Sequence, residues 1–98
     1  MLNKFSYEYL FSYSCNIGDM YRMVKSPMGL RNIGYITDGE VWGDKIRGKI
    51  LPGGGDWCVI RKDGVSCPDV RAMIETESGA KIYMQYTGRM DTGENGYE

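Results

Sequence analysis

Asp69 and Arg71, two positions apart, are a pair of residues in this chain whose side chains could bind a ligand or catalyse a reaction. Side chains two positions apart in a β-strand lie on the same side, so a strand here places a carboxylate beside a guanidinium. Such a pair can hold a polar ligand, with Tyr83 as a hydrogen-bonding neighbour. In an enzyme of the isomerase, lyase or cyclase type, Asp69 would be the general base, and Arg71 and Tyr83 would stabilise an enolate-like oxyanion.

A second group of candidate residues follows a run of glycines. Asp56 could be a carboxylate at the mouth of a pocket, and therefore an alternative base, or its side chain could satisfy backbone amides of the loop. Trp57 could contact a ligand or anchor the core. With Gln85, these residues are the predicted ligand-binding set beside Asp69, Arg71 and Tyr83.

Several kinds of site are excluded by composition. The chain has no histidine, and its three cysteines, Cys15, Cys58 and Cys67, have no CxxC spacing, so no metal site is predicted. No GxxxxGK[ST] or GxGxxG motif follows a strand, so no cofactor is predicted. Whether a reaction is catalysed at all is left open by the residues.

Size and charge restrict the partners. A chain of 98 residues forms one domain at most, and a net charge of -1 gives no electrostatic case for nucleic acid or an anionic membrane. No apolar run approaches the roughly 20 residues that span a bilayer. An odd, sparse set of cysteines indicates a reducing compartment, so we expect a cytoplasmic protein.

The elements that must position these residues are strands, since no segment has a convincing helical pattern. Asp19–Lys25 is left open between a strand and a helical turn, and Pro52–Gly55 is a corner because three glycines weaken a strand. The remaining strands and turns follow from alternation and from turn residues. The predicted strands are Phe5–Asn16, Arg31–Thr37, Glu40–Trp42 and Lys45–Leu51, with turns at Ser26–Gly29, Asp38-Gly39 and Gly43-Asp44.

The hairpin Asp69–Thr87 allows its register to be predicted. A two-residue loop, Ser78-Gly79, would mix apolar and polar residues on both faces. A three-residue loop, Glu77–Gly79 with a left-handed glycine, makes one face wholly apolar, and a buried face selects its register strongly. We therefore predict the longer loop. The apolar face then carries Val70, Ala72, Ile74, Ile82, Met84 and Tyr86, and the opposite face carries Asp69, Arg71, Met73, Glu75, Lys81, Tyr83, Gln85 and Thr87.

The same reasoning predicts a three-residue turn within Arg61–Val65 and places Trp57 opposite Asp69, unless Pro68 introduces a bulge. The polar residues then share one face, for which two interpretations compete. It is either the solvent side of a sheet, or the lining of a cavity in a closed barrel where Asp69 and Arg71 form a desolvated pair.

Several separated motifs carry a resemblance to a known family. The segments GKILPGGGDW, RKDGV and DVRAMIETESGAKIYMQYTGR resemble the bacterial and fungal group called domain of unknown function 3237, also known as uncharacterised protein family 0311. The resemblance extends over nearly the whole chain. Matching positions are Leu51 to Gly54, Asp56, Trp57, Arg61, Asp63 to Val65, Asp69, Arg71, Thr76, Gly79, Ala80, Ile82, Tyr83, Gly88 and Arg89.

The resemblance implies an antiparallel, lipocalin-like β-barrel and favours the cavity interpretation; it implies little about activity. Members of the family continue past the position of Arg89 with further strands. We therefore expect residues 1–98 to be one β-barrel domain without its C-terminal strands, frayed over residues 90–98. Such a sheet is either incomplete or completed by a second copy in a homo-oligomer.

The predicted function is a small-molecule-binding β-barrel protein with a polar-lined cavity and an apolar or aromatic ligand. The enzymatic alternative requires a carboxylate whose pKa is raised by burial. A third alternative is a structural or self-associating β protein without a ligand.

Overall fold

The computed structural model describes residues 4–91, and every strand pair in this range is antiparallel. None of these residues is helical. The all-β prediction is therefore confirmed. The strands are β1 (Ser12–Ser26), β2 (Gly29–Trp42), β3 (Gly48–Ile50), β4 (Gly55–Ile60), β5 (Val65–Cys67), β6 (Asp69–Thr76), β7 (Lys81–Thr87) and β8 (Met90–Asp91).

The eight strands form a meander of five runs. β3 and β4 form one run between β2 and β6, and this run is interrupted at Leu51–Gly54. Each of the two strands pairs with β2 on one side and with β6 on the other. β5 and β6 are likewise one run broken at Pro68, while β7 and β8 form the last run. The pairings β2–β3–β6–β4–β2 thus close a ring of four strands around the glycine corner. Within residues 4–91 this ring does not extend into a closed barrel, because β1 pairs only with β2 and β7 pairs only with β6.

The predicted register of the β6–β7 hairpin is confirmed. Glu75 pairs with Lys81 and Val70 with Tyr86, as the three-residue loop requires. Gly79 has the expected positive φ of 92°, and its amide donates to the carbonyl of Thr76 at 2.9 Å. A β-carbon at this φ would be strained, so glycine is the residue that fits.

The turn within Arg61–Val65 has the same form. Gly64 has a φ of 87° and donates to Arg61 O at 3.0 Å. Pairs on either side of Pro68, Asp56 with Val70 and Val59 with Cys67, keep one register. Pro68 therefore interrupts the ladder without a bulge, and Trp57 lies opposite Asp69 as predicted.

Two predicted boundaries in the N-terminal half are wrong. β1 begins at Ser12 and includes Asp19–Lys25, whereas the prediction began at Phe5 and ended at Asn16. β2 runs through Asp38-Gly39 without a turn. The glycine serves close approach instead: a β-carbon on Gly39 would lie 2.5 Å from the carbonyl oxygen of Ser14 on β1.

Other predicted turns are present. Ser26–Gly29 joins β1 to β2, with Gly29 at φ 133°. The next hairpin pairs Glu40 with Lys49, although its second strand is shorter than predicted. Met90 and Asp91, expected to be frayed, pair with Ser66 and Val65, and the rest of that prediction, residues 92–98, lies outside the described residues.

The core lies on the face predicted to be apolar. Ile50 and Ile74 are paired across β3 and β6 and are 1% and 0% exposed. Tyr13 of β1 and Tyr86 of β7 meet through their hydroxyls across this face, so the sheet curls toward its apolar side. The main cluster contains Ile36, Val41, Ile50, Ala72 and Ile74, with Phe11, Tyr13, Cys15, Ile46, Ile82 and Met84 packed against it.

Candidate functional site

The candidate site lies on the polar face, defined as the side of β4, β6 and β7 opposite the core. Register brings the predicted residues together: Arg71 pairs with Gln85, and Met73 pairs with Tyr83. Gly55 pairs with Arg71, which sets Trp57 two positions along the same face of β4. Asp69, Arg71, Trp57, Tyr83 and Gln85 therefore share one surface.

The guanidinium of Arg71 is the central group of this surface. Its Nη2 donates to Oδ2 of Asp69 at 3.3 Å, and its Cζ lies 5.6 Å from the centroid of the Trp57 ring. The two side chains are 50% and 31% exposed, so the pair is not desolvated as the cavity interpretation expected. One long hydrogen bond leaves most of the five guanidinium N–H donors directed at solvent.

An open groove of about 330 Å³ runs beside Arg71. Its walls are Trp57, Met73 and Tyr83, and its floor includes the backbone of the glycine corner, Pro52–Gly54. A β-carbon on Gly54 would lie 2.3 Å from the carbonyl oxygen of Arg71, so the corner packs directly on β6. The space beside Arg71 is thus an open groove and not an enclosed cavity.

Tyr83 and Gln85 form the rim of the groove. The Tyr83 hydroxyl donates to Oε1 of Gln85 at 3.4 Å, a long bond, and the Tyr83 ring is 60% exposed. Both side chains are exposed to solvent. They are therefore accessible to a molecule lying over Arg71.

The structure separates Asp56 from the other candidates. Asp56 pairs with Val70 and so lies on the apolar face, where its Oδ1 accepts a hydrogen bond from the backbone amide of Asp69 at 3.0 Å. This is the amide-satisfying role that was the alternative to a pocket carboxylate. The geometry does not assemble Asp56 as a base facing Arg71 and Tyr83.

One oxygen of Asp69 lacks a partner. Its Oδ1 is buried and has no hydrogen-bond donor among the described residues. The other oxygen, Oδ2, accepts from Arg71, so the contact with Arg71 uses one oxygen of the carboxylate.

Two aromatic residues near the groove were missed by sequence reasoning. Tyr35 meets Trp57 edge to face, with centroids 6.3 Å apart, and Tyr21 meets Tyr35 in the same way at 6.2 Å. Tyr35 pairs with Gly55, and a β-carbon on Gly55 would lie 3.3 Å from Cη2 of Trp57, so glycine leaves room for the indole. Period-two alternation in Arg31–Thr37 was a signal for the face of Tyr35, but its register to β4 depends on the irregular glycine corner.

A second cleft, of about 530 Å³, lies at the far end of the same face. There Glu40, Lys49, Glu75 and Lys81 stand opposite one another on four successive strands, a ladder of alternating charge. Lys81 Nζ lies 2.7 Å from Glu75 Oε2, and this hydrogen bond holds the pKa of the Glu75 carboxyl below its usual value. The ladder explains these side chains as cross-strand pairs.

The apolar face carries one strongly perturbed group. Burial raises the pKa of the Tyr13 phenol far above its usual value, and the hydrogen bond with Tyr86 raises it further. Tyr13 is therefore a neutral link between the first and last long strands.

Two negative findings concern the described part of the chain. Residues 4–91 contain no group of three or more His, Cys, Asp or Glu side chains arranged to hold a metal ion. No helix in this range has the length and apolar character needed to cross a bilayer.

Comparison with known proteins gives the family. The model of a family described as "Protein of unknown function (DUF3237)" matches residues 5–98. The chain belongs to this family. The resemblance carried by the sequence motifs is thereby confirmed.

The relatives that this chain matches are longer than the chain itself. A UPF0311 protein of Rhodopseudomonas palustris is 35% identical over 81 residues, which are 83% of this chain and 53% of the relative. The chain spans about half the length of the relatives that it matches.

Solved structures of similar proteins share the fold. A conserved protein of unknown function from R. palustris matches with a TM-score of 0.77 at 33% identity, over 84% of this chain and 55% of its own. A protein from Acinetobacter baumannii described as β-barrel-like matches with a TM-score of 0.67 at 28% identity, over 84% and 57%. This chain thus shares its fold with a solved structure that is described as β-barrel-like.

Proposed function

We propose that this chain binds a small planar molecule in the groove beside Arg71. The ligand is an apolar or aromatic ring that bears an oxygen acceptor, such as a carboxylate or a phenolate. The observation that carries the proposal is the half-exposed guanidinium of Arg71 over the Trp57 ring, with donors still free.

The shape of the groove supports a planar ligand. Its floor at Gly53 and Gly54 has no side chains, so a ring can approach the backbone closely. Met73 and Tyr83 supply apolar and aromatic walls. A concave, largely apolar surface with one convergent cation is the usual composition of a small-molecule site.

Electrostatics supports an anionic or phenolic oxygen on that ring. A guanidinium holds a carboxylate by two parallel hydrogen bonds, and Asp69 occupies only one donor at 3.3 Å. A ligand carboxylate would therefore complete the coordination of Arg71 without displacing Asp69.

Fluorescence of Trp57 tests the proposal. The chain has two tryptophans, so Trp42→Phe leaves Trp57 as the sole indole. Titration with 1-naphthoate should change its emission to saturation, whereas uncharged 1-naphthamide should bind more weakly because it cannot complete a charged pair with Arg71.

Matched arginine variants identify the binding group. In the same background, Arg71→Ala should weaken 1-naphthoate binding by about 10- to 100-fold, since a hydrogen bond to a charged group contributes about 1.5–3 kcal/mol. Arg61→Ala removes the same charge from a turn, where Arg61 pairs with Asp63, and should leave affinity unchanged. No response to 1-naphthoate, or equal affinities for both variants, would contradict the proposal.

A further inference from the structure

The outer side of β7 is an open sheet edge. β7 pairs with β6 on one side, and within residues 4–91 no strand pairs with its other side. The seven residues of β7 contain no proline and pair with β6 without a register shift. An unprotected, regular edge of this kind is a template for another strand.

The groups that face outward on this edge follow from the loop. The backbone amide of Thr76 donates to the carbonyl oxygen of Ala80 at 2.9 Å, so Thr76 and Ala80 form a hydrogen-bonded pair. Hydrogen-bonded and non-hydrogen-bonded pairs alternate along an antiparallel ladder. Ile82, Met84 and Tyr86 therefore bond to β6. The outward N–H and C=O groups belong to Lys81, Tyr83, Gln85 and Thr87.

The opposite edge of the sheet is protected by irregularity. β1 shifts register against β2 at three places, between Asn16 and Ile17, between Ile17 and Met20, and between Tyr21 and Val24. Met23 has a φ of 55°, which twists the strand locally. Such bulges discourage edge pairing, so β7 is the edge suited to it.

We propose that β7 pairs in antiparallel fashion with β7 of a second copy of this chain, with Met84 on the two-fold axis. Lys81 then lies opposite Thr87 of the partner copy, and Tyr83 lies opposite Gln85 of the partner copy. Every outward group meets an outward group, and both apolar faces lie on one side of the joined sheet. The contact is isologous, as a two-fold axis requires.

Neighbouring registers are less favourable. A slide of one residue sets outward groups against groups that already bond to β6. A slide of two residues in one direction places Lys81 opposite Arg89 of the partner copy, a repulsive pair. A slide in the other direction sets Thr87 against the loop at Gly79, so fewer residues pair.

The dimer also extends the candidate site. Gln85 of the partner copy lies beside Tyr83 on the polar face, at the rim of the groove, so each copy supplies a polar group to the other. This second statement depends on the proposed ligand site. The pairing of the strands does not.

Substitutions at Thr87 test the register, because this residue faces a negative side chain within its own chain and a positive side chain in the partner copy. Thr87→Glu places a carboxylate opposite Lys81 of the partner copy and should tighten the dimer, whereas Thr87→Lys should weaken it. Two such contacts per dimer predict roughly 2- to 30-fold changes in the dissociation constant in each direction. Within one chain Thr87 faces Asp69, so an effect on monomer stability would have the reverse order.

Sedimentation velocity and light scattering, from micromolar to millimolar protein without ligand, measure the outcome. A dimer that is tightened by Thr87→Glu and weakened by Thr87→Lys supports the inference. A monomer at all concentrations, or a dimer on which both variants act alike, overturns it. Because these measurements contain no ligand, a dimer that responds to the two variants as expected supports the strand pairing even if 1-naphthoate fails to bind. Ligand binding by a monomer would instead support the groove alone.

Discussion

Among single residues, Arg71 and Asp56 show how one position in a strand decides what a charged side chain can do. Arg71 faces the groove beside Trp57, whereas Asp56 lies across the sheet and accepts a hydrogen bond from the Asp69 amide. Both are charged residues near the glycine corner, but alternation sends them to opposite faces. Only Arg71 is placed to meet a ligand in the groove.

Tyr13 leads to a prediction about pH. Its phenol has a pKa raised above the ordinary 10.0, first by burial and then by the hydrogen bond with Tyr86. The unfolded chain therefore loses this proton at lower pH than the folded chain does. The stability that Tyr13 contributes is complete below about pH 10 and decreases as pH rises above it.

Urea unfolding from about pH 8 to about pH 11 measures this effect. We expect the midpoint of Tyr13→Phe to decrease less with rising pH than that of the unsubstituted chain. Tyr9→Phe is the control, because Tyr9 is 60% exposed, and it should follow the unsubstituted chain. Parallel pH profiles for Tyr13→Phe and the unsubstituted chain would contradict the prediction.

Among the elements, β2 shows that a glycine in a turn-like dipeptide can serve close packing instead. Asp38-Gly39 has the composition of a hairpin turn, yet β2, which is 14 residues long, continues through it. Asp38 is held by Asn16 of β1, whose Nδ2 donates to its Oδ1 at 2.9 Å. The absence of a side chain at Gly39 lets β1 cross closely.

Gly39→Ala should therefore destabilise the β1–β2 pair. The new methyl group would lie 2.5 Å from Ser14 O, so the strands must move apart, at a cost of about 1–3 kcal/mol. Gly88→Ala is the matched control, since its β-carbon would meet only Pro68 Cγ at 3.9 Å. Urea denaturation gives both values, and equal stabilities for the two variants would show that Gly39 is not a contact site.

At the scale of the whole molecule, one face of the curled sheet supplies the core. Ile50 and Ile74 stand opposite each other at its centre, and side chains from β1, β2 and β7 close over them. The polar face remains open across residues 4–91, with the groove at its middle. The hydrophobic core and the candidate site thus lie on opposite faces of the same strands.

Ile74→Ala should lower the free energy of unfolding by about 2–5 kcal/mol, because the fully buried side chain would leave a cavity. Ile17→Ala removes the same atoms from a residue that is 43% exposed and should cost much less. Chemical denaturation followed by circular dichroism measures both. Similar losses for the two variants would place the core elsewhere.

Local features were predictable from the sequence because local rules determine them. The left-handed glycines at 64 and 79 set loop lengths, and period-two alternation then assigned Arg71 and Tyr83 to one face and Ile74 to the other. Family motifs identified the group to which the chain belongs.

Contacts between distant segments were decided only by the tertiary structure. The length of β1, the straight passage of β2 through Gly39 and the edge contact of Tyr35 with Trp57 depend on strands meeting at irregular positions. Curvature toward the apolar face likewise brings together Tyr13 and Tyr86, residues far apart in the chain. Period-two alternation determines which face of the sheet a residue occupies. Only packing between strands that are distant in the sequence determines which face becomes buried.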